Sequence, residues 1–495
     1  MNYELITPEV LVVLLGLGVL LADLWIAPES RRGLGWLTAS LLGCILALSL
    51  GAIAPADGSA FGGMFVLDSL ARYFKGFFLF GGILVLLMTV EFSHRLKVGL
   101  SEFYALTLFA LAGMMFAASA NDFTMMFVSL ELITVTFYIL NSFQRSRLLS
   151  LEAGVKYLIL GGVASAFMVF GIALIFGSAN STNFSVIAAQ QGALSGSPVF
   201  LSGLLLVLVG LGFKIAAFPF QIWAPDVYQG SPAPATAFLS VGSKAAGFVL
   251  LLRVLYGAIP QIAADWQRLF AVISGITILY GSLCALPQRN LKRLLGYSSI
   301  ANAGYLLLGV AAGSQTGTGA VLFYIGGYFF TVLAAFTVIC AVSKEIEGDE
   351  ITSFNGLGVR SPLLAAALTI AMVSLAGIPP MVGFFGKFQL LASVLEAART
   401  QPAFYVLLGV AVVGVVLSLY YYFGVIRAVY WGEAPAGASK IGTSMAARVA
   451  LCVCIIGIFF LGIMPGSLMR VADGAAAGLS FAPSKWVPTA AVAAH

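Results

Sequence analysis

An all-α integral membrane fold of about fourteen transmembrane helices is what this sequence predicts, on three observations. The chain is 60% hydrophobic and only 9% charged, with mean hydropathy +1.03, whereas a soluble domain carries about 25% charged residues. Apolar runs of about 20 residues follow one another almost without pause, each long enough to cross a ~30 Å hydrocarbon layer as a helix. Basic residues are concentrated in alternate connections between those runs. Open strands are excluded because lipid cannot satisfy their backbone polar groups.

The spans fall at about 8–27, 34–53, 70–90, 101–119, 122–142, 151–177, 199–222, 232–256, 268–286, 291–312, 318–342, 362–397, 403–430 and 446–464. They form one polytopic domain, 1–495, with no soluble module. Within it, helices 1–3 occupy 1–100, a first repeat (helices 4–8) 101–256, a second repeat (helices 9–13) 262–431, and helix 14 with a C-terminal tail 445–495. Loops after odd-numbered spans hold Arg31 and Arg32, Arg95 and Lys97, Arg145 and Arg147, Arg289, Lys292 and Arg293, Lys344 and Arg360, then Arg427, Lys440 and Arg448. Loops after even-numbered spans hold chiefly Arg72, Lys75, Arg268 and Arg399. The positive-inside rule makes the odd loops cytoplasmic and sets both termini on the periplasmic side. Residues Met1 to Glu9 contain two acids and no base, so the first span reads as a retained helix rather than a cleaved signal.

The net charge of +5 follows from membrane topology and is no sign of nucleic-acid binding. Cys44, Cys284, Cys340, Cys452 and Cys454 lie inside apolar runs. Cys452 and Cys454 point to different faces of one helix and make a poor metal clamp. His94 and His495 are the only histidines. No cofactor or metal is expected on this chain.

Two spans are interrupted. The seventh reads VGLGFKIAAFPFQIWAPD, with Pro219 and Pro225 near its end, and the twelfth reads VSLAGIPPMVGFFGKFQLL, with Pro379 and Pro380 near its middle. Proline removes a donor and frees carbonyls inside the membrane. Broken helices in corresponding positions of two halves point to an ion path between inverted repeats. The breaks lie five spans apart, which suits two inverted five-helix repeats, spans 4–8 and 9–13.

Five charges fall inside spans: Glu131 in the fifth, Lys156 in the sixth, Lys214 in the seventh, Lys244 in the eighth and Lys387 in the twelfth. Each costs about 2.5–3.5 kcal/mol to insert, so each is paired or used. Burial disfavours a charged ammonium, which lets a lysine release and recover a proton. Polar stripes accompany them: Glu131, Thr134, Tyr138 and Asn141; Thr236, Ser240, Ser243 and Lys244; and Ser298, Asn302 and Tyr305. Such hydroxyls and amides can hold water for a proton.

Structural readings stand beside these. A Glu131–Lys214 pair could simply lock two helices. Lys156 reads equally as a relay site or as the i, i+4 partner of Glu152. Arg253 reads as snorkelling to the interface. Asp68 and Arg72 read as an interfacial pair, and the run Glu345–Glu350 as a solvated loop or, second, a docking segment.

The stretch PFQIWAPDVYQGSPAPATAFLSVGSKAAGFVLLLR, from Pro219 to Arg253, resembles a signature of the antiporter-like membrane subunits of respiratory complex I, NADH:quinone oxidoreductase. QRNLKRLLGYSSIANAGYLLLG from Gln288 and GIPPMVGFFGKFQLL from Gly377 resemble two more, and the GKF form is most similar to the subunit N branch. The resemblance implies Glu131 and Lys214 as a central coupled pair, Lys244 as the connecting lysine, Lys387 as the terminal proton site, and a less certain place for Lys156. It implies a bacterial inner membrane, and as partners the lipid bilayer, a neighbouring antiporter-like subunit and small K-, J- and A-type subunits. FMN, iron–sulfur clusters and a quinone would be carried elsewhere in the complex. Relatives often have histidine where this chain has Gln221 and Asn302, and an amide cannot titrate near neutrality as histidine does.

The mechanism expected is a conformational or electrostatic wave that shifts the Glu131–Lys214 pair and so changes proton affinity at Lys244 and Lys387. Moving one charge against 100 mV takes about 2.3 kcal/mol, comparable to a change of under about two pKa units. The nearest alternative is a subunit of a multisubunit Na⁺/H⁺ antiporter or a membrane-bound hydrogenase. A stand-alone solute transporter is a further alternative, and a structural spacer is disfavoured by the cost of the buried charges.

Overall fold

The computed structural model describes residues 3–51, 56–96, 98–346, 348–434 and 439–479; Lys97, Glu347 and His495 lie outside the described residues. The first six spans are single helices: α1 (Thr7–Asp23), α2 (Arg31–Leu50), α3 (Ser69–Phe92), α4 (Leu100–Ala118), α5 (Phe123–Asn141) and α6 (Leu148–Ala179). A short antiparallel hairpin, β1 (Gly58–Ala60) with β2 (Phe65–Leu67), joins α2 to α3, placing Ser59 opposite Val66. The seventh span is two pieces, α7 (Pro198–Ile215) and α8 (Trp223–Gly230). Next come α9 (Ala233–Ala258), α10 (Ala263–Ala285), α11 (Leu291–Ala312) and α12 (Gln315–Val342). The twelfth span is again two pieces, α13 (Pro362–Ala376) and α14 (Val382–Ala398), followed by α15 (Ala403–Trp431) and α16 (Met445–Ile463). An additional helix, α17 (Gly466–Ala477), packs on α3 and α12. It is short and mixed in polarity, so no apolar run announces it.

Among the described residues, thirteen helices are long and apolar enough to cross a membrane. The twelfth span adds the fourteenth crossing in two halves. Its first half has 15 residues, about 22 Å of rise, too short to cross alone. Helix starts are set locally: the side chains of Asp68, Asp122, Ser197, Asn290, Ser314 and Ser444 each accept a hydrogen bond from a first-turn N–H.

At both breaks the first half-helix ends on a left-handed residue, Ala216 (φ 58°) or Gly377 (φ 82°), three residues before a proline with a cis peptide bond, Pro219 or Pro380. Freed groups find partners. Trp223 Nε1 donates to the Phe213 carbonyl at 3.0 Å, and Phe218 N donates to Thr277 Oγ1 at 3.1 Å. The centre of the bundle is α9, wholly buried and packed against α3, α4, α7 and α12. α9 also departs from regular geometry, with a π-turn over Leu239–Ser243 directly before Lys244. π-turns inside α-helices are frequent at functional positions. On the outside, α6 exposes Val155, Ile159 and Phe170, and α15 exposes Val412, Val413 and Val416, as lipid or a neighbouring chain requires.

Several charges sit differently from the loop-based reading. Arg253 does not snorkel: it is buried and grips Asp68 with two N–H groups, at 3.0 and 2.8 Å. Arg72 meets Asp57 at 2.5 Å. Lys75 belongs to α3 rather than to a loop, and is buried against Glu9 of α1 at 2.7 Å. Lys292 is likewise buried, in the first turn of α11, and meets Asp349 at 3.0 Å. That acid is therefore not part of a freely solvated loop. Helix packing supplies the partners of Arg253, Lys75 and Lys292 across 57 to 185 residues of sequence, which spacing along one helix cannot reveal.

Candidate functional site

Lys214 lies in the last turn of α7, just before the left-handed Ala216. Its ammonium donates to Thr134 Oγ1 of α5 at 2.8 Å and to the Tyr157 hydroxyl of α6 at 3.4 Å. Tyr157 is itself wedged against Trp223 beyond the break, ring centroids 4.9 Å apart. Glu131, one turn before Thr134, is half-buried and accepts a short hydrogen bond from the Ser165 hydroxyl of α6. Glu131 and Lys214 form no direct ion pair. The carboxylate acts on the ammonium through space, with Thr134 holding the lysine between them.

Lys244, which follows the π-turn of α9, donates to the Ser299 carbonyl of α11 at 2.6 Å and to the Ser299 hydroxyl. That hydroxyl also meets the Tyr228 hydroxyl of α8 at 3.0 Å. The adjacent Ser298 turns the other way and meets the Tyr422 hydroxyl of α15 at 2.5 Å. Asn302 donates to the Ser298 carbonyl at 2.9 Å and accepts from the Tyr324 hydroxyl at 2.5 Å. One turn on, Tyr305 places its ring 5.0 Å from the Lys387 ammonium. α11 thus runs between the two lysines as a ladder of hydroxyls and one amide.

Lys387 on α14 reaches back across its break and donates to the Leu375 carbonyl at 2.7 Å. Leu375 precedes the left-handed Gly377 by two residues, as Lys214 precedes Ala216. Lys387 therefore places its charge at the backbone of the position that corresponds to Lys214. By the same count, the position matching Lys387 in the seventh span is Asp226.

Asp226 explains Lys156. That ammonium bridges Glu152 and Asp226, both at 2.6 Å, and Asp226 also meets Arg293 at 2.5 Å. Lys156 is 39% exposed; its neighbour Tyr157, pointing inward, is the one that touches Lys214. The network joins α6, α8 and α11 near the bundle surface.

A simple chemical distinction follows. Lys75, Lys156, Lys292 and Lys344 each meet a carboxylate at 2.6 to 3.0 Å. Lys214, Lys244 and Lys387 are all 4% exposed, and neutral oxygens alone hold their ammonium groups. A buried cation with only neutral partners is costly, and its amine form keeps a place in the same contacts. Ser299, Tyr228, Tyr324, Tyr422 and Ser165 were not legible as site residues. Ser299 alone carried a signal, since it lies seven residues after Lys292 and so shares its face of α11. Gln221 is buried with its Oε1 lacking a partner, and Asn141 is likewise unpartnered at both side-chain polar atoms; each suits a water.

Residues 120–418 match the family described as NADH:quinone oxidoreductase/Mrp antiporter, TM. The chain belongs to this family. Among family relatives, it is 40% identical to the NADH-quinone oxidoreductase subunit N of Moorella thermoacetica over 475 residues, 96% of this chain and 98% of that one. It also superposes on a chain of respiratory complex I from Thermus thermophilus with bound aureothin, with TM-score 0.78 and 32% identity, covering 94% of this chain and all of that one. A chain of the membrane-bound sulfane sulfur reductase, an archaeal respiratory membrane complex, shares the family fold at TM-score 0.83 and 24% identity, over 96% of both chains.

Proposed function

We propose that this chain is the antiporter-like, proton-translocating subunit N of the membrane arm of NADH:quinone oxidoreductase. Near-full-length identity to subunit N relatives supports it over the Na⁺/H⁺ antiporter and hydrogenase alternatives. The observation that carries the mechanism is the set of three buried lysines without acid partners, carried by α7, α9 and α14. Lys214 is the coupled site, biased by Glu131; Lys244 is the connecting site; Lys387 is the terminal site. Lys156 serves the Asp226 network rather than the relay. Between Lys244 and Lys387 the proton passes hydroxyls and water, because Asn302 stands where relatives often carry a titrating ring.

Spans 4–8 and 9–13 act as the two inverted repeats, a division supported by the matching left-handed ends of their broken helices. The redox chemistry, with FMN, iron–sulfur clusters and quinone, resides in other subunits and reaches this one as a shift at the Glu131–Lys214 pair. The neighbours are another antiporter-like subunit and small membrane-arm subunits, and the membrane is the bacterial inner membrane. The basic loops face the cytoplasm, both termini face the periplasm, and protons enter from the cytoplasm. In reconstituted vesicles, Lys387→Ala should lower the protons pumped per NADH oxidised; an unchanged ratio removes Lys387 from the relay.

A further inference from the structure

Lys292 opens α11 on the side of the basic loops. Its ammonium is held by the Asp349 carboxylate at 3.0 Å and donates to the Ser231 carbonyl at 2.9 Å. The two differ in access: the side chain of Lys292 is 2% exposed and that of Asp349 is 12% exposed. Asp349 is fixed over the start of α11 by its own carbonyl, which accepts from Leu291 N at 2.6 Å. It is therefore the outer member, closer to water.

Ser299, which holds Lys244, lies seven residues beyond Lys292, two turns along the same face of α11. The separation along the axis is about 10 Å. Two hydroxyls lie close to this interval, one on α8 and one on the residue that follows it. Tyr228 is bonded to Ser299, and the Ser231 hydroxyl is fully buried without a hydrogen-bond partner. A buried polar group in that state is suited to a bridging water. The Lys75–Glu9 pair differs here, because the Lys75 ammonium has no hydrogen-bond partner beyond its ion pair.

We propose that Asp349 and Lys292 form the intake of the relay, delivering protons from the basic-loop side to Lys244. The proposal rests on the relay reading above. An N–H bond of the Lys292 ammonium breaks, and its proton passes to water at Ser231. Tyr228 and Ser299 hydroxyls each accept one proton and release one, and an N–H bond forms on the neutral amine of Lys244. A proton from bulk water, taken first by the Asp349 carboxylate, then restores the Lys292 ammonium. One proton moves inward, and no electrons are transferred.

A static lock and an intake differ in what they tolerate. Arginine keeps the ion pair with Asp349 but does not give up a proton in proteins. The test uses the whole complex in sealed vesicles, measuring protons moved per NADH oxidised for Lys292→Arg, Asp349→Asn, Asp349→Glu and Lys244→Met. The intake predicts that Lys292→Arg and Asp349→Asn fall to the ratio of Lys244→Met, while Asp349→Glu keeps most of the wild-type ratio. A wild-type ratio in Lys292→Arg, with Lys244→Met lowered, overturns the intake and leaves the relay standing. If Lys292→Arg fails to assemble, Asp349→Asn decides: a wild-type ratio there also overturns the proposal. A wild-type ratio in Lys244→Met sinks the relay itself.

Discussion

Removing a lysine from this bundle should have opposite consequences depending on what its ammonium touches. In Lys75→Met the Glu9 carboxylate stays fully buried with its partner gone. Breaking a buried pair in this way costs about 3–5 kcal/mol, or roughly two to four powers of ten in an equilibrium constant at about 1.4 kcal/mol per decade. In Lys387→Met no acid is stranded. The Leu375 carbonyl loses its donor, a cost of about 1–3 kcal/mol, while removal of a charge that costs about 2.5–3.5 kcal/mol to insert offsets it. The net should lie near zero. The assay heats the detergent-solubilised complex and follows the fraction retaining this chain, alongside protons pumped per NADH in vesicles. Lys75→Met should lose the chain at a markedly lower temperature yet pump normally below it. Lys387→Met should match wild type in heat resistance and pump less. The double variant Glu9→Leu with Lys75→Met should recover most of the stability, since an apolar pair often equals a buried ion pair. The reasoning is refuted if Lys387→Met destabilises as much as Lys75→Met, or if the double variant is no better than the single.

Lys156→Gln should leave the pumping ratio intact, because Arg293 still pairs with Asp226; the stability change should be about 0–1 kcal/mol, as for exposed pairs, and a lost pumping ratio would return Lys156 to the relay. Gly383→Ala should prevent the twelfth span from packing across its break, because a methyl there would lie 1.9 Å from the Ser374 carbonyl oxygen. A loss of at least about 1–3 kcal/mol is expected, read as poor incorporation of the chain into the complex, and normal incorporation would contradict the close approach.

How much of the site was legible can be judged residue by residue. Lys214, Lys244 and Lys387 stood out because a lysine within an apolar run has few structural explanations. Glu131 stood out for the same reason, but its contact with Ser165 rather than Lys214 depends on how α5, α6 and α7 rotate against one another. Lys75 and Lys292 were misplaced as loop bases because each lies in the first turns of a helix, where hydropathy changes gradually. Glu91, fully buried and paired with Lys344 at 2.6 Å, lies just past the third span and was not singled out.

The membrane class, the fourteen crossings and the two interrupted spans were determined by the sequence alone. Their causes are local: apolar length must match the hydrocarbon layer, and proline breaks a helix interior. The choice of which buried charges are neutralised was decided only by the tertiary structure. Ion pairing depends on side chains meeting within a few ångströms across helices, and here the partners come from segments such as α1 with α3, or α11 with the loop after α12. That meeting separates Lys75 and Lys156, tied to acids, from Lys214, Lys244 and Lys387, held by neutral oxygens alone.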